Sequence, residues 1–146
     1  MSSQPVPDPI SVLLQGHAAT RARLEGLAAG APDPDAAAWF DGPAAAQRRL
    51  LTETLCPALI ESMAGSDAVC LKGMTRGLAD RDASLGRRWP GIRAALGRGD
   101  ADPAALAAWV EDYQAYLRYA DEELLPMADR LLDDQALQQL RDAAAP

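Results

Sequence analysis

One histidine, His17, carries most of the side-chain chemistry available to this chain of 146 residues. An imidazole titrates near neutral pH, so it serves as a general acid, a general base or a metal ligand. Apolar residues recur at three- and four-residue spacing around it, among them Ile10, Leu13, Leu24 and Leu27. This spacing predicts an amphipathic helix with His17 on its buried face. His17 is then either a core histidine with satisfied hydrogen bonds or the centre of a site.

Tyrosine and cysteine supply the remaining reactive groups. Tyr113, Tyr116 and Tyr119 follow one another at three-residue spacing, so they spread around a helix and cannot all face inward. Cys56 and Cys70 match no zinc-ligand spacing, and we expect both to be buried free thiols. A nucleophilic cysteine needs a base beside it, and the chain has no phosphate loop, dinucleotide fingerprint or Ser-His-Asp order.

Start and stop signals for helices divide the chain into one domain over 8–146, preceded by a disordered arm over 1–7. Asp-Pro pairs at 8–9 and 102–103 and a proline at 43 are typical of helix starts. We expect the second and fourth helices to continue with bends through Pro57 and Pro126, and the third to end at Pro90. The expected helices begin at about 8, 43, 67 and 103, with a short piece at 91–97, a turn at 65–66 and a last short helix at about 134–144.

Composition favours an all-α fold. The chain has 31 Ala and 20 Leu but only 4 Val and 3 Ile, so helix formers far outnumber β-branched residues. Four long amphipathic segments predict an antiparallel four-helix bundle with a short extra C-terminal helix. A net charge of -7 with one lysine argues against nucleic acid and anionic membranes as partners. No segment is typical of a signal peptide or membrane span, which predicts a cytoplasmic protein; the oligomeric state is not indicated.

Three segments resemble the hemerythrin-like family, whose members carry the HHE cation-binding domain. They are DPISVLLQGHAATRARLEGL (8–27), TETLCPALIES (52–62) and YLRYADEELLPMADRLLDDQ (116–135). The resemblance implies a four-helix bundle with His17 at the first ligand position. It also implies a di-iron site of about five histidines and two bridging carboxylates, used to bind oxygen or to sense iron and redox state.

The other ligand positions implied by the resemblance are occupied here by residues that cannot replace histidine. In the second helix they fall at Gln47 and Leu51, or one residue further on at Arg48 and Thr52; in the last helix they fall at Tyr116 and Ala120, where Asp121 remains as a carboxylate. With a single histidine the chain cannot assemble the family's di-iron site. We therefore expect no cofactor; the alternative is a reduced iron site of His17, Glu53 and Asp121.

A bundle centre without its metal must be refilled by side chains or by a ligand, because voids destabilise a core. The sequence thus predicts a site for a small, largely apolar molecule, with His17 and Tyr116 as catalytic or orienting groups, as in an accessory enzyme of small-molecule metabolism. The expected lining comprises Gln47, Arg48, Leu51, Thr52, Cys56, Met74, Tyr113 and Ala120. We expect His17 within about 3 Å of Tyr116, Gln47 or a ligand. The alternatives are the reduced iron site, for oxygen binding or sensing, and a non-catalytic interaction module.

Overall fold

The computed structural model describes residues 8–31, 33–62 and 67–145, and over those residues it contains helices and no strand. We number the helices α1 to α6. They are α1 (Pro9–Ala28), α2 (Ala36–Asp41), α3 (Pro43–Arg49, Leu50–Leu55 and Cys56–Ser62 without interruption), α4 (Asp67–Arg98), α5 (Pro103–Tyr119, Ala120–Leu124 and Leu125–Leu131 without interruption) and α6 (Asp134–Ala144). The all-α prediction is confirmed. The predicted disordered arm at 1–7 and turn at 65–66 lie outside the described residues.

The helix starts predicted at the two Asp-Pro pairs are confirmed by their capping geometry. The Asp8 carboxylate accepts the backbone N–H of Ser11 at 3.3 Å, and Pro9 is the first helical residue. The Asp102 carboxylate likewise accepts the backbone N–H of Ala104 at 3.4 Å. These carboxylates satisfy N–H groups that have no partner within the helix, which fixes where α1 and α5 begin.

Helices α3 and α5 continue through Pro57 and Pro126, as predicted, and each widens just before its proline. Leu50–Leu55 and Ala120–Leu124 are π-helical. The N–H of Cys56 donates to the carbonyl of Leu51, five residues earlier, and the N–H of Leu125 donates to that of Ala120. Proline lacks an N–H and crowds the preceding turn, so a wider turn accommodates its ring while the helix continues.

The predicted break at Pro90, and with it the separate piece at 91–97, is wrong, because α4 is one helix of 32 residues. Pro90 is exposed, so its ring faces away from the core. Its neighbour Trp89 is 8 % exposed, stacks on Trp109 with ring centroids 5.1 Å apart, and donates from Nε1 to Asp41 at 2.7 Å. This packing offsets the cost of an interior proline, about 3 kcal/mol.

The four long helices pack around one hydrophobic core. Helix α1 contacts α3 and α5, and α4 also contacts α3 and α5. Helix α6 packs on α1 and on the π-helical segment of α3. At one end of the core Phe40 of α2 contacts the rings of Trp89, Trp109 and Tyr113, with centroids 5.2 to 5.6 Å apart. In the described part of the chain, no helix has both the length and the apolar character needed to cross a membrane.

Candidate functional site

His17 lies on the buried face of α1, 1 % exposed, as predicted. Its Nδ1 lies 2.6 Å from Oδ1 of Asp121, which α5 supplies from its π-helical segment. The predicted partners were Tyr116 and Gln47, and neither is hydrogen-bonded to the ring. The other ring nitrogen, Nε2, is buried and has no hydrogen-bond partner among the described residues.

Asp121 is shared between His17 and Arg21, one turn further along α1. The Arg21 guanidinium donates to Oδ2 of Asp121. Burial raises the pKa of Asp121, but the hydrogen bonds from His17 and Arg21 and the positive charge of Arg21 outweigh it and hold that pKa below its usual value. Asp121 is therefore ionised at neutral pH and acts only as an acceptor. We call Arg21, Asp121 and His17 the His17 triad.

A second polar chain lies on the same side of α1 and joins three helices. The Nε1 of Trp39 donates to Oγ1 of Thr20 at 3.1 Å, and the Thr20 hydroxyl donates to Oε1 of Gln47 at 3.3 Å. The end of the Gln47 side chain also lies against the backbone of Gly16, where a Cβ would collide with it. Gln47 is thus next to His17 in space but is engaged by Thr20.

Arg48 and two tyrosines form a separate cluster among α3, α4 and α5. The Nε of Arg48 lies 3.2 Å from Oδ1 of Asp82, in an ion pair whose N–H is not aligned on the carboxylate, and its guanidinium lies 5.5 Å from the ring centre of Tyr113. Tyr113 and Tyr116 are 1 % and 0 % exposed, with ring centres 6.0 Å apart. Burial raises the pKa of Tyr113 to about 12 and that of Tyr116 well above its usual value, so both phenols are protonated.

Tyr119 differs from the other two tyrosines, as their spacing predicts. Its ring is half-buried, its hydroxyl donates to the backbone carbonyl of Met74 at 3.2 Å, and Arg81 lies 4.8 Å from its ring centre. Met74 is partly buried against the core. Tyr119 therefore packs between α4 and α5 and has its hydrogen bond satisfied.

Three neutral polar atoms in the core lack a hydrogen-bond partner among the described residues: Nε2 of His17, Oγ1 of Thr52 and the hydroxyl of Tyr116. They come from α1, α3 and α5, and α1 packs on both of the other helices. The large majority of buried side-chain polar atoms in proteins have a partner, so each of the three calls for an explanation.

The remaining predicted lining residues are apolar or inert. Leu51 and Ala120 are both 0 % exposed, each at or near the start of its π-helical segment, and they fill space in the core. Cys56 is 5 % exposed, and burial raises the pKa of its thiol to about 11, which suppresses the nucleophilic thiolate. Cys70 is exposed, so the prediction that both thiols are buried is wrong for Cys70.

The donor set does not fit an iron site. Glu53 is exposed, and no group of three His, Cys, Asp or Glu side chains converges anywhere in the residues that the structure describes. Leu51 and Ala120, which stand at ligand positions implied by the resemblance, offer no donor atom in their side chains. Of the alternative ligands His17, Glu53 and Asp121, only His17 and Asp121 meet, and they are bonded to each other.

Two surface depressions lie between α4 and α5, away from the triad. One, of about 410 Å³, is lined by Asp80, Arg81, Ser84, Asp112 and Ala115. The other, of about 560 Å³, is lined by Arg87, Arg88, Gly91, Ile92, Ala95, Ala101, Asp102, Ala105, Leu106 and Ala108. Neither includes a predicted site residue.

Sequence reasoning missed three polar residues that the structure places at or near the site: Thr20, Arg21 as an ion-pair donor, and Asp82. Thr20 and Arg21 carried a usable signal, because they stand three and four residues after His17 and so share its helix face. Asp82 carried none, since its guanidinium partner lies on another helix. Comparison of the chain with family models, with curated proteins and with solved structures finds no match.

Proposed function

We propose that this chain is a hemerythrin-like four-helix bundle that works without a metal and binds a small, largely apolar organic molecule at its centre. His17 orients the ligand or moves a proton on it, and Tyr116 assists, as in an accessory enzyme of small-molecule metabolism. The observation that carries the proposal is the difference between the two ring nitrogens of His17. Its Nδ1 is held by Asp121 at 2.6 Å, while its Nε2 is buried without a partner among the described residues.

A carboxylate on Nδ1 prepares an imidazole for proton transfer at Nε2. Because Asp121 is ionised, Nδ1 carries the proton, and in the neutral ring Nε2 presents its lone pair. The carboxylate also fixes the ring in one orientation, so a ligand meets a preorganised base. A core histidine would also bond a partner at Nδ1, so the feature that favours a ligand is the unpartnered Nε2.

The hydroxyls of Thr52 and Tyr116 are two further buried groups without a partner among the described residues, which a ligand that reached them would satisfy. Both belong to helices packed on α1. Leaving a buried hydroxyl without a partner costs about 1 to 3 kcal/mol, and a bound polar group would recover that free energy. Tyr116 keeps its proton because burial raises its pKa, so it donates to a ligand as a neutral phenol.

The single histidine permits a direct test. The side-chain ¹H–¹⁵N spectrum of ¹⁵N-labelled protein contains one imidazole, and a library of small apolar fragments with one polar group can be screened against it. We expect binders that shift the Nε2 signal and raise the melting temperature. His17→Phe, which keeps much of the volume but removes both nitrogens, should lose this stabilisation. Tyr116→Phe should weaken binding, whereas Tyr119→Phe, the matched change outside the site, should not.

Three results would contradict the proposal. A His17→Phe variant that folds and binds fragments as the parent does would show that His17 serves only for packing. Stoichiometric iron in protein produced with iron supplied would support the alternative of a reduced metal site for oxygen or iron. If no fragment shifts the His17 signal, the chain is better explained as an interaction module with a filled centre.

A further inference from the structure

The charge of the His17 triad is balanced before His17 contributes any charge. Asp121 carries one negative charge and Arg21 one permanent positive charge, and the two are hydrogen-bonded. The side chains are 31 % exposed at Arg21, 13 % at Asp121 and 1 % at His17. The triad therefore leads from the surface of the protein into the core, with the Arg21–Asp121 ion pair at its outer end.

The ion pair of Arg21 and Asp121 leaves no unpaired negative charge beside His17. A proton on Nε2 would place a second positive charge in the core opposite a carboxylate that Arg21 already neutralises, and burial opposes an uncompensated charge. With the Nδ1 proton donated to Asp121, the neutral ring has one free site, the Nε2 lone pair. The inner end of the triad is thus a hydrogen-bond acceptor.

No donor among the described residues reaches Nε2 of His17, although the hydroxyls of Thr52 and Tyr116 are themselves without a partner. The Trp39 N–H donates to Thr20, and the Thr20 hydroxyl donates to Gln47. On α1 the buried residues one turn to either side of His17 are Leu13 and Thr20, with Leu24 beyond. A ligand at Nε2 must therefore bring its own donor and an apolar body. A carboxylate would set its lone pairs against that of Nε2, and an ammonium group would bury a charge that no free carboxylate in the triad can balance.

We propose that the ligand of His17 is an uncharged hydroxyl compound, an alcohol or a phenol, whose O–H donates to Nε2. This proposal rests on the proposed function and narrows it to one class of ligand. The hydroxyl replaces the missing partner of the imidazole, while the rest of the molecule occupies the apolar interior.

Four probes of similar size and different chemistry test the class: phenol, toluene, benzoate and benzylamine. In the free protein, the ¹⁵N spectrum should show Nδ1 protonated and Nε2 unprotonated. We expect phenol to shift the Nε2 signal and to bind about tenfold more tightly than toluene, the advantage of one hydrogen bond. Benzoate and protonated benzylamine should bind more weakly than toluene. In His17→Phe, phenol and toluene should bind alike.

Equal binding of phenol and toluene to the parent protein would overturn the hydroxyl class but leave small-molecule binding intact. Tightest binding of benzoate, or a protonated Nε2 in the free protein, would also overturn it. If none of the probes binds and no library fragment shifts the His17 signal, the proposed function fails together with the class. The parent spectrum decides between these outcomes even if His17→Phe does not fold.

Discussion

Helices α3 and α5 each contain a π-helical segment that ends two residues before a proline, but the side chains at equivalent positions differ in chemistry. Counting back five residues from Pro57 gives Thr52, and five from Pro126 gives Asp121. Asp121 pairs with His17 and Arg21, while the Thr52 hydroxyl is buried without a partner among the described residues. Both positions are partly buried, and the two side chains differ in whether they find a polar partner there.

Replacement of Asp121, which has partners at its position, should have the largest effect on the free energy of unfolding. Asp121→Ala removes the only partner of His17 Nδ1 among the described residues and leaves the Arg21 guanidinium without its acceptor. We expect a loss of about 2 to 3 kcal/mol in the free energy of unfolding, measured by urea denaturation. Thr52→Ala is the matched control and should cost less. Equal losses at the two positions would show that the π-helical backbone, and not the carboxylate, sets the cost.

Acid should gradually remove the stability that Asp121 contributes to its π-helical segment. The hydrogen bonds and charges around Asp121 outweigh its burial and lower its pKa below the usual 3.8, so the unfolded chain takes up the proton first. The stabilisation by Asp121 is therefore full above about pH 4 to 5 and is lost as pH falls through the lowered pKa.

The check is urea denaturation of the parent and of Asp121→Asn from pH 7 to about pH 2. The stability gap between the two proteins should narrow as pH falls. Asp41→Asn is a useful comparison, because hydrogen bonds from Trp89 and Arg93 lower the pKa of that exposed carboxylate in the same direction. A gap that stays constant with pH would mean that Asp121 does not act through its charge.

The smallest effect on the free energy of unfolding is expected at Thr52, where the substitution should stabilise the protein. Thr52→Val keeps the shape of the side chain and removes a buried hydroxyl that lacks a partner among the described residues, so the free energy of unfolding should rise by up to about 1 kcal/mol. Thermal denaturation of the ligand-free protein measures it. If the hydroxyl binds the ligand, Thr52→Val should also weaken the most tightly bound fragment; a destabilised Thr52→Val would instead reveal a hidden partner.

The elements of the fold could be predicted largely from local signals. The Asp-Pro pairs at 8–9 and 102–103 cap their helices as expected, because a cap depends on residues within one turn. Pro90 misled the prediction, since the interactions that keep α4 continuous come from Asp41 and Trp109 on other helices. The sequence likewise predicted bends at Pro57 and Pro126, but it did not predict the π-helical segments that precede these prolines.

The site was less accessible from sequence than the fold. Helical spacing placed His17 on a buried face, but Asp121 was grouped with it only as a ligand of the alternative iron site. Asp121 is 104 residues away in an acidic run typical of a solvated surface, so their direct hydrogen bond was not predicted. The sequence predicted one site around Gln47, Arg48 and Tyr116. In the structure, Gln47 is instead hydrogen-bonded to Thr20, and Arg48 forms an ion pair with Asp82. Pairing between helices depends on their rotation about their axes, which a single sequence does not fix.

The close approach of Gly16 to Gln47 makes the effect of a substitution at one position depend on the residue at the other. With Gln47 present, Gly16→Ala would push the amide aside and endanger its bond with Thr20. With a small residue at position 47, the same substitution has room and gains up to about 1 kcal/mol of helix propensity over glycine. We therefore expect the two substitutions to be non-additive, with Gly16→Ala gaining more stability once a small residue stands at position 47.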